Sequence, residues 1–207
     1  SKNQLVIMPT TNSAYGTGDK DNLCDENSPL NPISSYAVDK VKIENELMKR
    51  EKYISFRLAT VFGFSPRMRL DLLVNDFVYR AYRDKYIVLF ESKFKRNYIH
   101  IKDVSRAFIH GIKNFDKMQS NTYNVGLSDA NISKFELCEK IKKFVPDFVI
   151  FEEQFAKDED QRNYIVSNKK IENTGFKPKF SLEDGIKELL KGLSLIHISE
   201  PTRRTPI

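Results

Sequence analysis

The sequence carries PTTNSAYG at residues 9–16 and, further along, YAVDK at residues 36–40. On a helix, residues four positions apart share one face with their Cβ atoms about 5–6 Å apart, so Tyr36 and Lys40 would be neighbours. An ammonium group near a phenol lowers the phenol's pKa from its ordinary value of about 10. The pair therefore indicates a tyrosine that exchanges protons, although a solvent-facing Tyr–Lys contact fits the same spacing.

A strand, a helix and a second strand surround these motifs. Residues 5–8, LVIM, form the short apolar run that is typical of a buried parallel strand. Ser34 and Ser35 can each cap the start of a helix over residues 36–50. Residues 54–58, ISFRL, predict the next strand. A strand, helix, strand order with so long a connection predicts a parallel α/β unit.

Helices and strands are mixed in the rest of the chain. The patterns predict helices over residues 70–82, 103–114, 134–144 and 182–190, and strands over residues 87–90, 122–125 and 148–151, while residues 98–101 lead into the second helix. Asp103 is the expected N-cap of the second of these helices, and Ser133 with Glu136 forms the expected capping box of the third. The fold class that we expect is α/β, with a small α/β lobe beside a parallel sheet.

Composition excludes several classes of function. The chain has 207 residues, of which 40% are hydrophobic and 30% charged, as in ordinary globular proteins. No apolar run approaches the roughly 18 residues that would span a bilayer. The two cysteines form no metal-binding pattern, so we expect a cytoplasmic protein with neither a membrane segment nor a metal. The net charge of +6 comes from basic residues interleaved with acidic ones, which argues against nucleic acid as a partner.

Together the two motifs resemble the catalytic half of the extended short-chain dehydrogenases/reductases, the NAD-dependent nucleotide-sugar epimerase/dehydratase family. The resemblance implies the C-terminal part of a Rossmann-type parallel sheet plus a small α/β substrate-binding lobe. Residues 1–63 would be a remnant of the dinucleotide-binding domain. Residues 64–192 would mainly form the substrate-binding lobe, with the helix over 103–114 packing back on the first part. NAD is the implied cofactor, with NADP as the alternative; the implied partners are a nucleotide-diphosphate sugar and, in a homodimer, a second copy.

Both ends of the chain carry an expectation. The family opens with a strand and a Gly-rich turn that this sequence lacks, so we expect an N-terminally truncated fragment that is inactive as it stands. Residues 193–207, LSLIHISEPTRRTPI, resemble a translated sequencing adapter, and we expect them to be a non-native tail.

The resemblance also assigns the residues of the reaction centre. Tyr36 would take up and return a proton, Lys40 would hold the cofactor ribose, and Thr11 would steady the reacting sugar oxygen. Family members that eliminate water place an acid and a base directly after this threonine, whereas this chain has Asn12 and Ser13 there. The departure favours oxidation and re-reduction at one carbon over dehydration.

Two further stretches would bind the nucleotide-diphosphate sugar. RNYIHIKD, which begins at Arg96, resembles the family segment whose arginine binds the diphosphate. KDEDQR, which begins at Lys157 and ends at Arg162, is similar to the segment that holds the ribose and the diphosphate, although the match is looser. In that segment Asp160 would take the ribose hydroxyls, and Lys157 or Arg162 the phosphates.

Three more positions carry an expectation. Thr60 stands where the family often has an asparagine that contacts the substrate. Asn97 replaces the usual aspartate beside Arg96, which bears on how that arginine is oriented. His100 we expect to be structural.

The sequence thus predicts an NAD-dependent epimerase of the UDP-glucose 4-epimerase type. Within the same family the alternatives are an NAD(P)H-dependent keto-sugar reductase, a dehydratase and a decarboxylase. From a different class, a non-catalytic sensor of a dinucleotide or nucleotide sugar, or an inactive truncated product, remains open.

Overall fold

The computed structural model describes residues 4–17, 23–153 and 162–199, with side chains as far as residue 195. Within these ranges the strands are β1 Val6–Thr11, β2 Leu23–Cys24, β3 Tyr53–Leu58, β4 Thr60–Phe62, β5 Tyr86–Phe90, β6 Lys95–His100, β7 Asn121–Val125, β8 Asn131–Ser133, β9 Val149–Glu153 and β10 Ile165–Val166. The helices are α1 Ser35–Met48, α2 Leu73–Arg83, α3 Ile101–Lys113, α4 Phe115–Met118, α5 Lys134–Lys142, α6 Lys169–Glu172 and α7 Leu182–Ser199.

A parallel sheet of order β1-β3-β7 carries the first motif. Met8 in β1 lies opposite Ser55 in β3, and β3 pairs in turn with β7. The chain leaves β1 through a 3₁₀ turn over Asn12–Tyr15 and returns to the sheet through α1. This arrangement confirms the predicted parallel α/β unit, since parallel neighbours require a crossover of this kind.

The other strands form smaller sheets. β6 lies between β4, which runs parallel to it, and β8, which runs antiparallel. β5 pairs with β9, and β2 pairs with β10, both in parallel. The strands β2, β4, β8 and β10 were not predicted, because each has only two or three residues and gives no periodic signal.

The apolar interior has two large clusters. One lies around the β1-β3-β7 sheet, where Phe56 of β3 packs edge-on against Phe108 of α3 at 5.3 Å between ring centroids. Gly111 of α3 allows this close approach, because a Cβ there would meet the Phe56 ring at 3.0 Å. The second cluster joins α2, α5 and α7 with β5, and it includes the fully buried Leu137.

At two helix starts, the residues beside the helix were sufficient to predict the N-cap. Ser34 Oγ accepts the Ala37 amide at 3.2 Å, and Ser133 with Glu136 forms the complete capping box, as predicted. The prediction of Asp103 as an N-cap is wrong. Helix α3 begins two residues earlier, and its N-cap is His100, whose Nδ1 accepts the Lys102 amide.

Long-range contacts explain this difference. Asp103 is fully buried, and its carboxylate accepts the amides of Lys179 and Phe180 at 2.9 Å, so it anchors the chain that leads into α7. His100 Nε2 lies 2.7 Å from Glu188 Oε2 of α7, which gives this buried ring a structural partner.

Helix α7 is longer than predicted. It continues past residue 190 to Ser199, and Leu193 is buried in the second apolar cluster. The non-native origin of residues 193–207 stays a prediction. Across the described ranges, no helix combines the length and apolar character needed to cross a membrane.

Candidate active site

A cavity of about 690 Å³ opens where β1 and β3 end. Ligands of parallel α/β sheets bind at the carboxyl ends of the strands, which makes this the expected place for a site. The cavity is lined by Pro9, Thr10, Thr11, Ser13, Tyr36, Lys40, Leu58, Ala59, Thr60, Val61, Arg69, Asp71, Leu72, Leu73, Asp76, Arg96, Arg162 and Tyr164.

Thr11 is the last residue of β1. Its Oγ1 accepts the amide of Ser13 at 3.1 Å and so caps the 3₁₀ turn that follows. This hydrogen bond uses an acceptor site of the hydroxyl and leaves its proton available, because a hydroxyl has one donor and two lone pairs. Thr11 is thus fixed by its own backbone and can still donate a hydrogen bond.

Tyr36 and Lys40 lie on successive turns of α1. The Lys40 ammonium is 5.8 Å from the centroid of the Tyr36 ring and donates to the carbonyl of Pro9 at 3.2 Å. Tyr36 is 56% exposed, and both side chains line the cavity together with Thr11. The structure therefore brings together the three residues that the sequence assigned to the reaction centre.

Two arginines bring positive charge to the same cavity. Arg96 in β6 is almost fully buried, with its guanidinium 5.7 Å from the Tyr164 ring centroid, and it donates to the carbonyl of Arg162. Arg162 in turn donates to Ser13 Oγ, next to the capped turn of Thr11. Oxygen-rich anions are the ligands that such guanidinium groups favour.

Asn97 has a different task from the one its position suggested. Its amide donates to the carbonyl of Leu127 at 2.6 Å, and its Oδ1 accepts from Asn168 at 3.4 Å. The side chain also lies against Gly126, where any Cβ would collide with it. Asn97 therefore holds the turn after β7, and burial against Tyr164 orients Arg96 instead.

The remaining predicted site residues divide into two groups. Thr60, the first residue of β4, lines the cavity. Lys157 and Asp160 lie outside the described residues, so their assignment stays a prediction.

Sequence reasoning missed a buried ion pair beneath the cavity. Glu44 of α1 accepts hydrogen bonds from Arg57 of β3 at 2.6 and 3.0 Å, and both side chains are almost fully buried. Burial raises the pKa of Glu44, but the hydrogen bonds and charge of Arg57 outweigh it and hold that pKa below its usual value. Spacing indicates only that Glu44 shares a helix face with Lys40, which it follows by four residues, and it gives no sign of the contact with Arg57.

A second ion pair, between Arg69 and Asp71, lines the cavity wall. Arg69 Nε donates to Asp71 Oδ1 at 3.0 Å, just before α2 begins. The hydrogen bond from Arg69 holds the pKa of Asp71 below its ordinary value. Asp76 of α2 also lines the cavity, and it accepts from Arg80 at 2.9 Å.

The sequence profile of the NAD dependent epimerase/dehydratase family matches residues 2–126, which is more than half of the chain. The chain belongs to this family. Its mixed α/β fold with parallel sheets is the Rossmann-like fold that the sequence predicted.

Individual relatives are distant. CDP-paratose 2-epimerase of Salmonella typhi is 24% identical over 200 residues, which cover 90% of this chain and 59% of that protein. Among solved structures, UDP-glucose 4-epimerase of Thermotoga maritima with UDP-glucose matches at a TM-score of 0.78, 24% identity and coverage of 92% and 63%. dTDP-glucose 4,6-dehydratase of Bacillus anthracis in complex with NAD matches at a TM-score of 0.75 and 21% identity, and the match covers 92% of this chain and 62% of that one. The chain thus spans about three fifths of these proteins.

Proposed function

We propose that the protein is an NAD-dependent epimerase that acts on a nucleotide-diphosphate sugar through transient oxidation to a keto sugar. The observation that carries this proposal is the cavity that Thr11, Tyr36 and Lys40 share with Arg96 and Arg162. It combines a proton-exchanging pair with guanidinium groups suited to a diphosphate.

The reaction centre would work through two hydroxyls. The Tyr36 oxygen would take the proton of one sugar hydroxyl as that carbon is oxidised, and would return it when the carbon is reduced. The Thr11 hydroxyl would donate a hydrogen bond to the same sugar oxygen, since its bond from the Ser13 amide leaves its own proton available. Between the two steps the keto sugar would turn over and present its other face.

Lys40 fits the cofactor that the family name implies. An ammonium has three N–H donors, and within the described part of the chain Lys40 makes one hydrogen bond, to the Pro9 carbonyl. The other donors can hold the ribose hydroxyls of NAD. When bound, NAD would supply the hydride acceptor and donor of the reaction.

The diphosphate would lie against Arg96 and Arg162. Arg96 is fixed by burial near Tyr164, so its fork of donors would lose little freedom on binding. Lys157 and Asp160 remain proposed contacts of the phosphates and the ribose.

Epimerisation is favoured over dehydration by the residues around Thr11. Asn12 is fully buried and Ser13 accepts a hydrogen bond from Arg162, and neither is a carboxylate. The carboxylates among the described lining residues, Asp71 and Asp76, are both held in ion pairs with arginines. A dehydratase needs a free acid and base at the sugar in addition to the tyrosine, and among the described lining residues neither carboxylate is outside an ion pair.

The test uses protein expressed from the complete reading frame. A panel of nucleotide sugars is followed by proton NMR without added reductant, and we expect one epimer to form. Tyr36→Phe should abolish turnover, whereas the control Tyr86→Phe, which changes an equally exposed tyrosine on β5, should not. Turnover only with NADPH and a keto sugar would establish the reductase instead, and binding without turnover under either condition would establish the sensor.

The proposed assembly and location have separate tests. Light scattering of the purified protein should give the mass of a homodimer, and fractionation of the source cells should place the protein in the cytoplasm. A monomeric mass would contradict the first of these proposals.

A further inference from the structure

Helix α1, which carries Tyr36 and Lys40, is fixed to the sheet by very few buried side chains. Ala37, Glu44 and Leu47 are its buried residues, and only Glu44 is charged. A helix held by so little apolar surface depends on its polar contacts for its exact placement. Glu44 lies one turn beyond Lys40 and two turns beyond Tyr36 on the same face.

Glu44 connects α1 to both neighbouring strands. One carboxylate oxygen accepts from Thr10 Oγ1 of β1 at 2.9 Å and from Ser55 Oγ of β3 at 2.6 Å. The other accepts from Arg57 of β3 at 2.6 and 3.0 Å. All of these groups are buried, and Thr10 directly precedes Thr11 in β1.

Arg57 continues the connection to the turn after Thr11. Its Nη1 donates to Tyr15 Oη at 3.0 Å, and Tyr15 ends the 3₁₀ turn that Thr11 caps. The Tyr15 hydroxyl itself donates to Asn124 Oδ1 of β7 at 2.8 Å. One guanidinium therefore contacts both segments that carry the reaction centre.

We propose that Glu44 and Arg57 are positioning residues that fix Tyr36 and Lys40 relative to Thr11. The inference rests on the proposed function, since it assumes that these three residues act on one substrate. A buried ion pair adds little net stability because desolvation offsets its attraction, but it fixes direction through several hydrogen bonds. A displacement of about 1 Å at reacting groups can lower a rate about 100-fold.

The test measures kcat and KM of the protein expressed from its complete reading frame. Glu44→Gln keeps the size of the side chain but removes its charge and sets an amide against the donors of Arg57. We expect kcat to fall about 10- to 100-fold, while KM for the nucleotide sugar changes less than about threefold because Arg96 and Arg162 are untouched. A smaller change, Tyr15→Phe, removes one hydroxyl of the network and should lower kcat about 3- to 10-fold.

A matched control separates positioning from loss of stability. Leu137→Ala opens the second apolar cluster, away from α1, and should lower the melting temperature while leaving kcat per folded molecule unchanged. If Glu44→Gln and Tyr15→Phe also lower only the melting temperature, the positioning role is wrong.

If the wild-type protein turns over no sugar, the proposed function fails. Hydrogen exchange then tests by itself whether Glu44 and Arg57 fix the two segments. Glu44→Gln should then speed amide exchange both in α1 and in the turn over Asn12–Tyr15, because both are held through Arg57. Faster exchange in α1 alone would show that Glu44 does not act on the turn through Arg57, and it would contradict the positioning role. Leu137→Ala should affect neither segment.

Discussion

The Lys40 ammonium lies 5.8 Å from the centre of the Tyr36 ring and donates to the Pro9 carbonyl at 3.2 Å, so it connects the helix of the tyrosine to the strand of Thr11. Replacing this lysine removes a charge beside the phenol and a bond between α1 and β1. The two effects act on the same reaction centre.

Lys40→Met should therefore lower kcat about 10²- to 10⁴-fold, the usual range for a group that supports acid–base catalysis. The measurement is initial rate by NMR with saturating sugar and NAD. Lys42→Met is the matched control, because Lys42 lies on the same helix, is exposed and forms an ion pair with Asp39, three residues earlier on that helix. Equal losses in the two variants would show that Lys40 has no special role.

Arg96→Lys should weaken the binding of nucleoside diphosphates. The substitution keeps the charge but loses the fork that meets phosphate oxygens in pairs. Hydrogen bonds to charged groups contribute about 1.5–3 kcal/mol, so we expect Kd to rise about 10- to 100-fold by calorimetry. The control variant Arg83→Lys changes an exposed arginine at the C-terminal end of α2 and should leave Kd unchanged. An unchanged Kd for Arg96→Lys would place the diphosphate elsewhere.

Stability should fall as the pH drops from 7 to 5, in part because of His100. Burial lowers the pKa of this ring below its usual 6.5, despite the opposing hydrogen bond and charge of Glu188. As the pH falls below about 6.5, His100 takes up a proton in the unfolded chain but not in the folded chain. The free energy of unfolding therefore decreases over this pH range.

His100→Asn tests this dependence. Asparagine is a good N-cap and can preserve the start of α3, but it does not titrate. The free energy of unfolding, measured with urea at pH 7 and pH 5, should change less in the variant than in the wild type. His110, whose pKa burial also lowers, leaves a residual slope in both proteins. An identical slope would exclude His100 as a source of the dependence.

Ser133→Ala should destabilise the protein by about 1 kcal/mol, because it breaks the capping box of α5. The melting temperature should fall about 2–4 °C for a protein of this size. Ser105→Ala, at an exposed position within α3, should change it much less. A smaller effect at Ser133 than at Ser105 would mean that the box contributes no stability.

The sequence predicted features that depend on neighbours along the chain. The caps at Ser34 and Ser133 and the pairing of Tyr36 with Lys40 all arise within one helical turn, so spacing alone was sufficient. The prediction for Asp103 was wrong because its carboxylate accepts the amides of Lys179 and Phe180, which lie more than seventy residues away.

The same reason explains the buried network. Arg57 lies in a strand and Glu44 in a helix, and no periodic pattern indicates that their side chains meet. The fold had to be known before this contact could be found. Likewise, the partner of His100 is Glu188, on a helix that packs against it from the other end of the chain.

The most direct measurement of the central claim is epimerisation in D₂O, followed by NMR at the inverted carbon. Oxidation and re-reduction carry hydride away from the carbon and back to it without contact with solvent. We therefore predict an epimer that keeps its protium at that carbon, with no net change in NADH and no product from Tyr36→Phe. Deuterium at the inverted carbon would contradict the account, because it would show proton removal from carbon instead of hydride transfer.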